Sequence, residues 1–268
     1  MDFKPASVPA DMLRTFGFVV MRQFFDADPL ADEIDRVMLE GLPSQNAMDY
    51  HGIRFQYVPM MTAETPVSLS LLDRAGALVA TVLGGSVLPT RAKGVRYIGN
   101  TPWHTDSELP ITSIGCIAYF DSLNAENGAL RVIPGSHYPE YGDAIRALGT
   151  AGETTNALPS HVIETEPGDL ILMDEHLFHA SSGGTIRRQW RVDYLRVPID
   201  ADDARHTKTY FENLYRVDWD GGYDVDRYPS YGFAWRNSGR AAVGQLEELG
   251  VYDLAAKQEA FTRSRKRS

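Results

Sequence analysis

The 268-residue chain has a single cysteine, Cys116, so no internal disulfide can form. Its place inside an apolar run makes it a small core residue of a protein kept in a reducing compartment. No stretch reaches the roughly 20 apolar residues needed to span a bilayer. Met1-Asp2-Phe3-Lys4-Pro5 holds no signal-peptide core, so a cytoplasmic location and no membrane partner are expected. Positive charge is scarce: 26 Lys and Arg stand against 36 Asp and Glu, a net charge of −10. Binders of the phosphate backbone concentrate positive charge to displace counterions, so nucleic acid is excluded as a partner. The short basic run Thr262 to Ser268 is expected to be a solvated terminus. No His-Glu-x-x-His pattern is present, which argues against a zinc hydrolase. No acyl-carrier or coenzyme A signature stands out, leaving a small-molecule metabolite as the expected substrate.

What is present is a large hydrophobic fraction, 43%, enough for one domain with a well-buried core. Met12, Leu13 and Phe16 at helical spacing, followed by Gly17, predict a short helix and then a strand over Phe18 to Met21. Asp28-Pro29 suits a helix start, and Leu30, Ile34, Val37 and Met38 form the apolar stripe of a helix to about Glu40. Residues 41–66 show no clear period and are expected to be a loop or lid, with His51, Arg54, Gln56 and Tyr57 as candidate substrate contacts. A helix over about 67–84 presents Leu71, Leu72, Ala75, Leu78, Val79 and Val82 on one face and stops at Gly84-Gly85.

From about Ser86 the pattern changes to short strands between turns, as in an antiparallel sandwich or barrel. Arg91 to Ile98 and Thr112 to Phe120 read as strands, and Asn127-Gly128 as a hairpin turn. A further strand over His161 to Thr165 places His161 at the surface. Trp190 to Val197 is the last strand assignable to the barrel. Thus a mainly β domain with flanking helices is expected, a double-stranded β-helix of the jelly-roll or cupin kind. Its core covers about 86–198, with N-terminal helices over 9–84 and a C-terminal cap over 200–260. The cap is rich in aromatics, among them Tyr210, Phe211, Trp219, Tyr223 and Trp235.

The chemistry centres on Trp103-His104-Thr105-Asp106. In a strand, residues two apart point to one face, so His104 and Asp106 can offer an imidazole and a carboxylate to one divalent metal. His179, at the end of the apolar run opened by Pro167-Gly168, is the candidate third ligand. His176, three residues earlier, would face the opposite side of such a strand. Two histidines and one aspartate form the facial triad of non-heme Fe(II) oxygenases, which leaves three metal positions open.

His104-Thr105-Asp106, Glu126 to His137, Gly168-Asp169-Leu170, His179-Ala180-Ser181 and Arg191 occur in an order that resembles the phytanoyl-CoA dioxygenase-like family of Fe(II)- and 2-oxoglutarate-dependent oxygenases. The resemblance covers most of residues 10–197. It implies Fe(II), 2-oxoglutarate and dioxygen as cofactor and co-substrates, and hydroxylation, desaturation or ring closure of a small metabolite on a biosynthetic route. It implies that His137 is structural, that Arg191 pairs with the far carboxylate of 2-oxoglutarate, and that Ser181 donates a second hydrogen bond. Arg187 and Arg188 are expected in the preceding turn and solvated. Ile117 and Tyr119 occupy the region where family members often place an aromatic beside the co-substrate. Trp103 and Tyr97 complete the expected substrate pocket. Asp106 stands where related halogenases have Gly or Ala, which denies chloride a place on the metal. The alternative function is a metal-containing cupin that isomerises or binds a small molecule without oxygen, and it would have no use for Arg191 and Ser181.

Overall fold

A computed structural model describes residues 8–42, 48–50, 53–150, 158–184, 186–218 and 222–266. The N-terminal part runs α1 (Val8–Phe16), β1 (Phe18–Met21), α2 (Ala27–Gly41), β2 (Met48–Tyr50), β3 (Ile53–Pro59) and α3 (Pro66–Leu83). The strands β4 (Val87–Pro89), β5 (Lys93–Ile98), β6 (Thr101–His104), β7 (Ser113–Tyr119) and β8 (Leu130–Val132) follow. After α4 (Pro139–Thr150) come β9 (His161–Ile163), β10 (Leu170–Asp174), β11 (His179–Ser181) and β12 (Ile186–Arg196). The C-terminal part holds α5 (Ala201–Leu214), α6 (Phe233–Arg236), α7 (Ala241–Glu248) and α8 (Val251–Lys266).

The strands form two antiparallel sheets, one in the order β1-β10-β7-β12-β5-β3-β2 with β4 paired to β12, the other in the order β6-β11-β8-β9. Between them lies an apolar cluster of Phe18, Ile117, Tyr119, Ile171 and Met173 from the large sheet and Leu130, Val132 and Ile163 from the small one. The outer face of the large sheet carries Cys116, Ala118, Leu172, Trp190 and Tyr194, packed with Leu30, Ile34, Leu71, Leu72 and Val79 of α2 and α3. Both faces of β7 are therefore covered, and all seven of its residues are buried. That is why it reads as a continuous apolar run and not as an alternating one. The fold is mainly β with flanking helices, a jelly roll.

α3 is predominantly apolar over its 18 residues, and its Leu71, Leu72, Ala75 and Val79 pack in the core. Its Gly76 lies so close to Tyr194 that an added Cβ would sit 3.1 Å from the ring. The Tyr194 hydroxyl donates to the Leu72 carbonyl at 2.5 Å. The buried aromatics of the C-terminal part, including Phe211, Tyr215, Tyr223 and Trp235, belong to the same cluster as α2 and α3.

Several local expectations are corrected. Much of 41–66, expected to be a loop, forms β2 and β3, and β3 pairs with β5 from Arg54↔Ile98 to Pro59↔Lys93. Its alternation is masked because Gln56 is buried despite its polarity, accepting from Arg96 Nε at 2.9 Å. His51 and Trp219 lie outside the described residues. Asn127-Gly128 closes no hairpin: β7 belongs to the large sheet and β8 to the small one, so this turn passes the chain between sheets. Gly128 has φ 103°, and Asn127 Oδ1 caps the turn by accepting from Asn124 N at 2.7 Å. The apolar run 168–179 is not one strand; β10 stops at Asp174 and β11 starts at His179 in the other sheet. The helix-capping position before α2 is Asp26, and Asp28 lies in the first turn, where a carboxylate favours the helix dipole.

Candidate metal centre

His104 and His179 face each other across the β6–β11 pairing, with ring centroids 4.2 Å apart. Asp106 sits two residues beyond, where its N–H and that of Ser107 donate to the Glu175 carbonyl at 2.9 and 3.1 Å. These bonds tie the end of β6 to the turn between β10 and β11, which is how residues 73 positions apart in sequence come to share one point. Ligand atoms of His104, Asp106 and His179 lie within 4.8 Å of one another. His104 Nε2 is 3.6 Å from Asp106 Oδ1, and His179 Nε2 is 3.5 Å from Oδ2. The Nδ1 atoms bond to backbone carbonyls, His104 to Pro102 at 2.8 Å and His179 to Leu177 at 2.9 Å. A carbonyl only accepts, so Nδ1 carries the proton and each Nε2 lone pair points at the shared centre.

The electrostatics agree with a ligand set. Burial pushes His179 down to about 4, keeping its imidazole neutral. Burial works in the same direction on His104, but the hydrogen bond and charge of Asp106 outweigh it and raise that pKa. Asp106 is held well below the ordinary carboxylate range: burial opposes this, and the Arg191 guanidinium, followed by His179, overcomes it. Arg191 Nη2 donates to Asp106 Oδ2 at 2.8 Å and its Nε to Asp193 Oδ1 at 2.8 Å. Glu175 lies 3.6 Å from the same Nη2 and accepts from the Tyr210 hydroxyl at 3.0 Å. Burial, together with Asp193 and Asp106, pushes Glu175 up to about 8.

A pocket opens beside the triad, lined by Tyr97, Ile117, Tyr119, Ser181, Arg187 and Gln189. Along β12 the residues Arg187, Gln189 and Arg191 share this inner face, while Trp190 and Val192 point to the helices. Arg187 was expected in a turn and solvated; it is in β12 and 3% exposed. Its Nη1 donates to the Gly128 carbonyl at 2.8 Å and its Nη2 to the Gly99 carbonyl at 2.6 Å. Arg187 Nε and Ser181 Oγ are buried without a protein partner. Arg188 points outward and pairs with Asp35 at 2.7 Å.

The other sequence candidates divide. Tyr97 lines the pocket, whereas Trp103 packs against Ile133, Ile145 and Phe178 away from it. Gln56 faces the helix side, Arg54 is exposed, and Tyr57 is buried beside Arg91. His137 bonds through Nε2 to the Arg14 carbonyl at 3.0 Å. His176 lies in the turn after β10, its ring held by Asp174 at 2.8 Å and the Leu109 carbonyl at 2.7 Å. Neither ring joins the triad. Sequence reasoning missed the inward position of Arg187 and Gln189, although the two-residue parity with Arg191 along one strand carries that signal.

A jelly roll with two histidines and an aspartate converging at its mouth defines a candidate mononuclear metal centre of the facial kind. The family model for phytanoyl-CoA dioxygenase (PhyH) matches residues 13–189, a span that includes His104, Asp106, His179, Ser181 and Arg187. The chain belongs to that family. Among solved structures, AviO1 from Streptomyces viridochromogenes Tue57 is 19% identical with a TM-score of 0.57, over 73% of this chain and 96% of that one. HygX from Streptomyces hygroscopicus, solved with nickel and 2-oxoglutarate bound, is 18% identical with a TM-score of 0.57, over 73% and 88%. SnoN, described as a non-heme alpha ketoglutarate dependent epimerase from nogalamycin biosynthesis, is 18% identical with a TM-score of 0.58, over 72% and 81%. At these identities the likeness is one of fold. Among curated proteins none matches the chain.

Proposed function

We propose that this protein is an Fe(II)- and 2-oxoglutarate-dependent oxygenase that hydroxylates a small organic metabolite. His104, Asp106 and His179 would hold the iron. When bound, iron, 2-oxoglutarate and dioxygen supply a two-electron oxidation of a C–H bond, with 2-oxoglutarate leaving as succinate and CO2. The chain's own residues do the positioning. Leu177 and Pro102 carbonyls fix the imidazole tautomers, and Arg191 orients the Asp106 carboxylate.

The observation that carries this proposal is the unsatisfied polar end of the pocket. A buried guanidinium Nε and a buried hydroxyl with no partner cost free energy unless a ligand completes them. Arg187 and Ser181 line the same pocket as the triad, which suits a dicarboxylate held at one end by metal and at the other by a fixed cation. Arg191 fills this role less well, because its charge is already matched by Asp106 and Asp193 through Nη2 and Nε. We therefore assign the far carboxylate of 2-oxoglutarate to Arg187 and Ser181, with Ile117 and Tyr119 as the apolar wall. A non-oxidative cupin would leave these buried donors without a purpose.

The test is anaerobic titration of the Fe(II)-loaded protein with 2-oxoglutarate. A weak visible charge-transfer band of a chelated 2-oxo acid is expected, and its absence in protein of full iron content would overturn the assignment. Succinate release with a panel of metabolites then identifies the substrate, and the product mass separates hydroxylation, which adds one oxygen, from epimerisation, which leaves the mass unchanged, and from ring closure or desaturation, which removes two hydrogens.

A further inference from the structure

A second cavity, of about 320 Å³, adjoins the metal pocket. Lys93 lines it, and Tyr97, four residues further along β5 and so on the same face, lines the metal pocket. Phe55, also in the second cavity, packs against Tyr97 in a tilted pair with centroids 5.0 Å apart. Lys93 stands opposite Arg191 in the β5–β12 register. The two cavities therefore share a wall. Tyr57 and Arg91 line the second cavity from the core, and Leu214 and Arg216 at the end of α5 close it from the C-terminal part.

Among the described residues three cations and no acid line this cavity, in a chain whose net charge is −10. Arg216 is matched at the rim by Asp218, through contacts of 3.0 and 2.6 Å. Arg91 is 4% exposed and bonded to neutral groups: it donates to Gln258 Oε1 at 2.7 Å and the Tyr57 hydroxyl at 3.1 Å, and lies 4.8 Å from the ring centroids of Tyr57 and Tyr215. These partners supply no negative charge, and Arg91 Nε is buried without a partner. Lys93 has less. Among the described residues no carboxylate lies within 4.0 Å of its Nζ, and Asp193, the acid that faces it from β12, is held by Arg191 Nε at 2.8 Å. Lys93 is half-buried on the cavity wall, and burial lowers its pKa to about 8, so the ammonium stays mostly protonated at neutral pH.

We propose that this cavity binds the anionic group of the substrate: a small organic acid whose carboxylate or phosphonate pairs with Lys93 in front of Arg91, and whose apolar part lies against Phe55. Its role as a substrate site rests on the oxygenase assignment above; anion binding does not. The aromatic pair Phe55–Tyr97 would then lead the rest of the molecule toward the metal pocket.

The test uses the full chain with Fe(II) and saturating 2-oxoglutarate under anaerobic conditions, and three probes followed by ligand-observed NMR titration: phenylacetate, phenylphosphonate and the neutral phenylacetamide. At least one anion should bind, and the amide should bind about tenfold more weakly or worse. Lys93→Met should weaken the anion by about tenfold or more and leave the amide unchanged, while Lys93→Arg retains most anion binding. In the wild-type protein the bound anion should also protect Lys93 from trinitrobenzenesulfonate, a readout that needs no variant. The proposal is overturned if neither anion binds, if anion and amide bind alike, if Lys93→Met changes nothing, or if 2-oxoglutarate displaces the anion. A visible 2-oxoglutarate band without Lys93-dependent binding removes the anion site alone. Lys93-dependent binding without the band removes the oxygenase assignment and leaves the anion site standing.

Discussion

Arg191 and Asp106 are bound to each other: Nη2 of the arginine lies 2.8 Å from Oδ2 of the aspartate, across 85 residues of sequence. The same guanidinium is held from behind by Asp193 Oδ1 at 2.8 Å. An arginine so engaged acts on a carboxylate of the triad, and it sets the direction in which Asp106 presents its other oxygen. The first prediction concerns this contact. Arg191→Met should lower iron affinity by about 10- to 100-fold, the usual range for a group that orients a metal ligand. Iron content after desalting measures it. Retention of iron with loss of 2-oxoglutarate binding would return the co-substrate role to Arg191.

Arg187→Met should do the reverse. The variant should keep its iron and bind 2-oxoglutarate about tenfold to a hundredfold more weakly, as expected for loss of a charge-assisted hydrogen bond of roughly 1.5–3 kcal/mol. Ser181→Ala removes one neutral donor and should weaken binding by about tenfold or less. Titration of the visible band gives both constants. Arg188→Ala, whose side chain points outward to Asp35, should leave the titration unaltered.

The histidines provide a third comparison. His104→Ala and His179→Ala should abolish stoichiometric iron binding, whereas His176→Ala and His137→Ala should retain it, since those rings are bonded elsewhere. Loss of iron in His137→Ala together with its retention in His179→Ala would show a different third ligand.

Asp169, which follows the turn glycine Gly168, is 1% exposed and accepts from Gln23 N and Glu166 N, each at 3.0 Å, and from Arg22 Nη1 at 2.6 Å. Burial raises its pKa, but these bonds prevail and hold it below the usual 3.8. A depressed carboxylate stabilises the fold fully above its unfolded pKa, and the contribution is lost as pH falls through the folded value. Asp169→Asn should therefore cost about 1–3 kcal/mol at neutral pH, with a gap that narrows below pH 3.8. Urea unfolding at pH 7 and pH 3 tests this; a gap that widens in acid would contradict it.

The legible parts of the fold share a feature: the pattern that signals them is local. α1, α2 and α3 announce themselves by apolar residues three and four apart and by Gly17 and Gly84, which end α1 and α3 at φ 82° and 70°. β7 and β10 show as apolar runs because both faces are buried. β3 did not, because Gln56 satisfies its polarity through Arg96 on a neighbouring strand, a partner no local window contains. Asn127-Gly128 signals a turn, and only the pairing of β8 with β9 and β11 decides that the turn crosses between sheets.

By itself, then, the sequence determined the three N-terminal helices, the long apolar strands, the jelly-roll class and the three residues that converge as a triad, since periodicity and the His-x-Asp spacing act over a few residues. The tertiary structure decided what each cation of β12 meets. Arg187 and Arg191 carry the same guanidinium on the same face of β12, and nothing in their side chains tells them apart. What distinguishes them is register: Arg191 stands where Asp106 and Asp193 meet it, while Arg187, four residues back along the strand, ends at the Gly99 and Gly128 carbonyls with its buried Nε still without a partner.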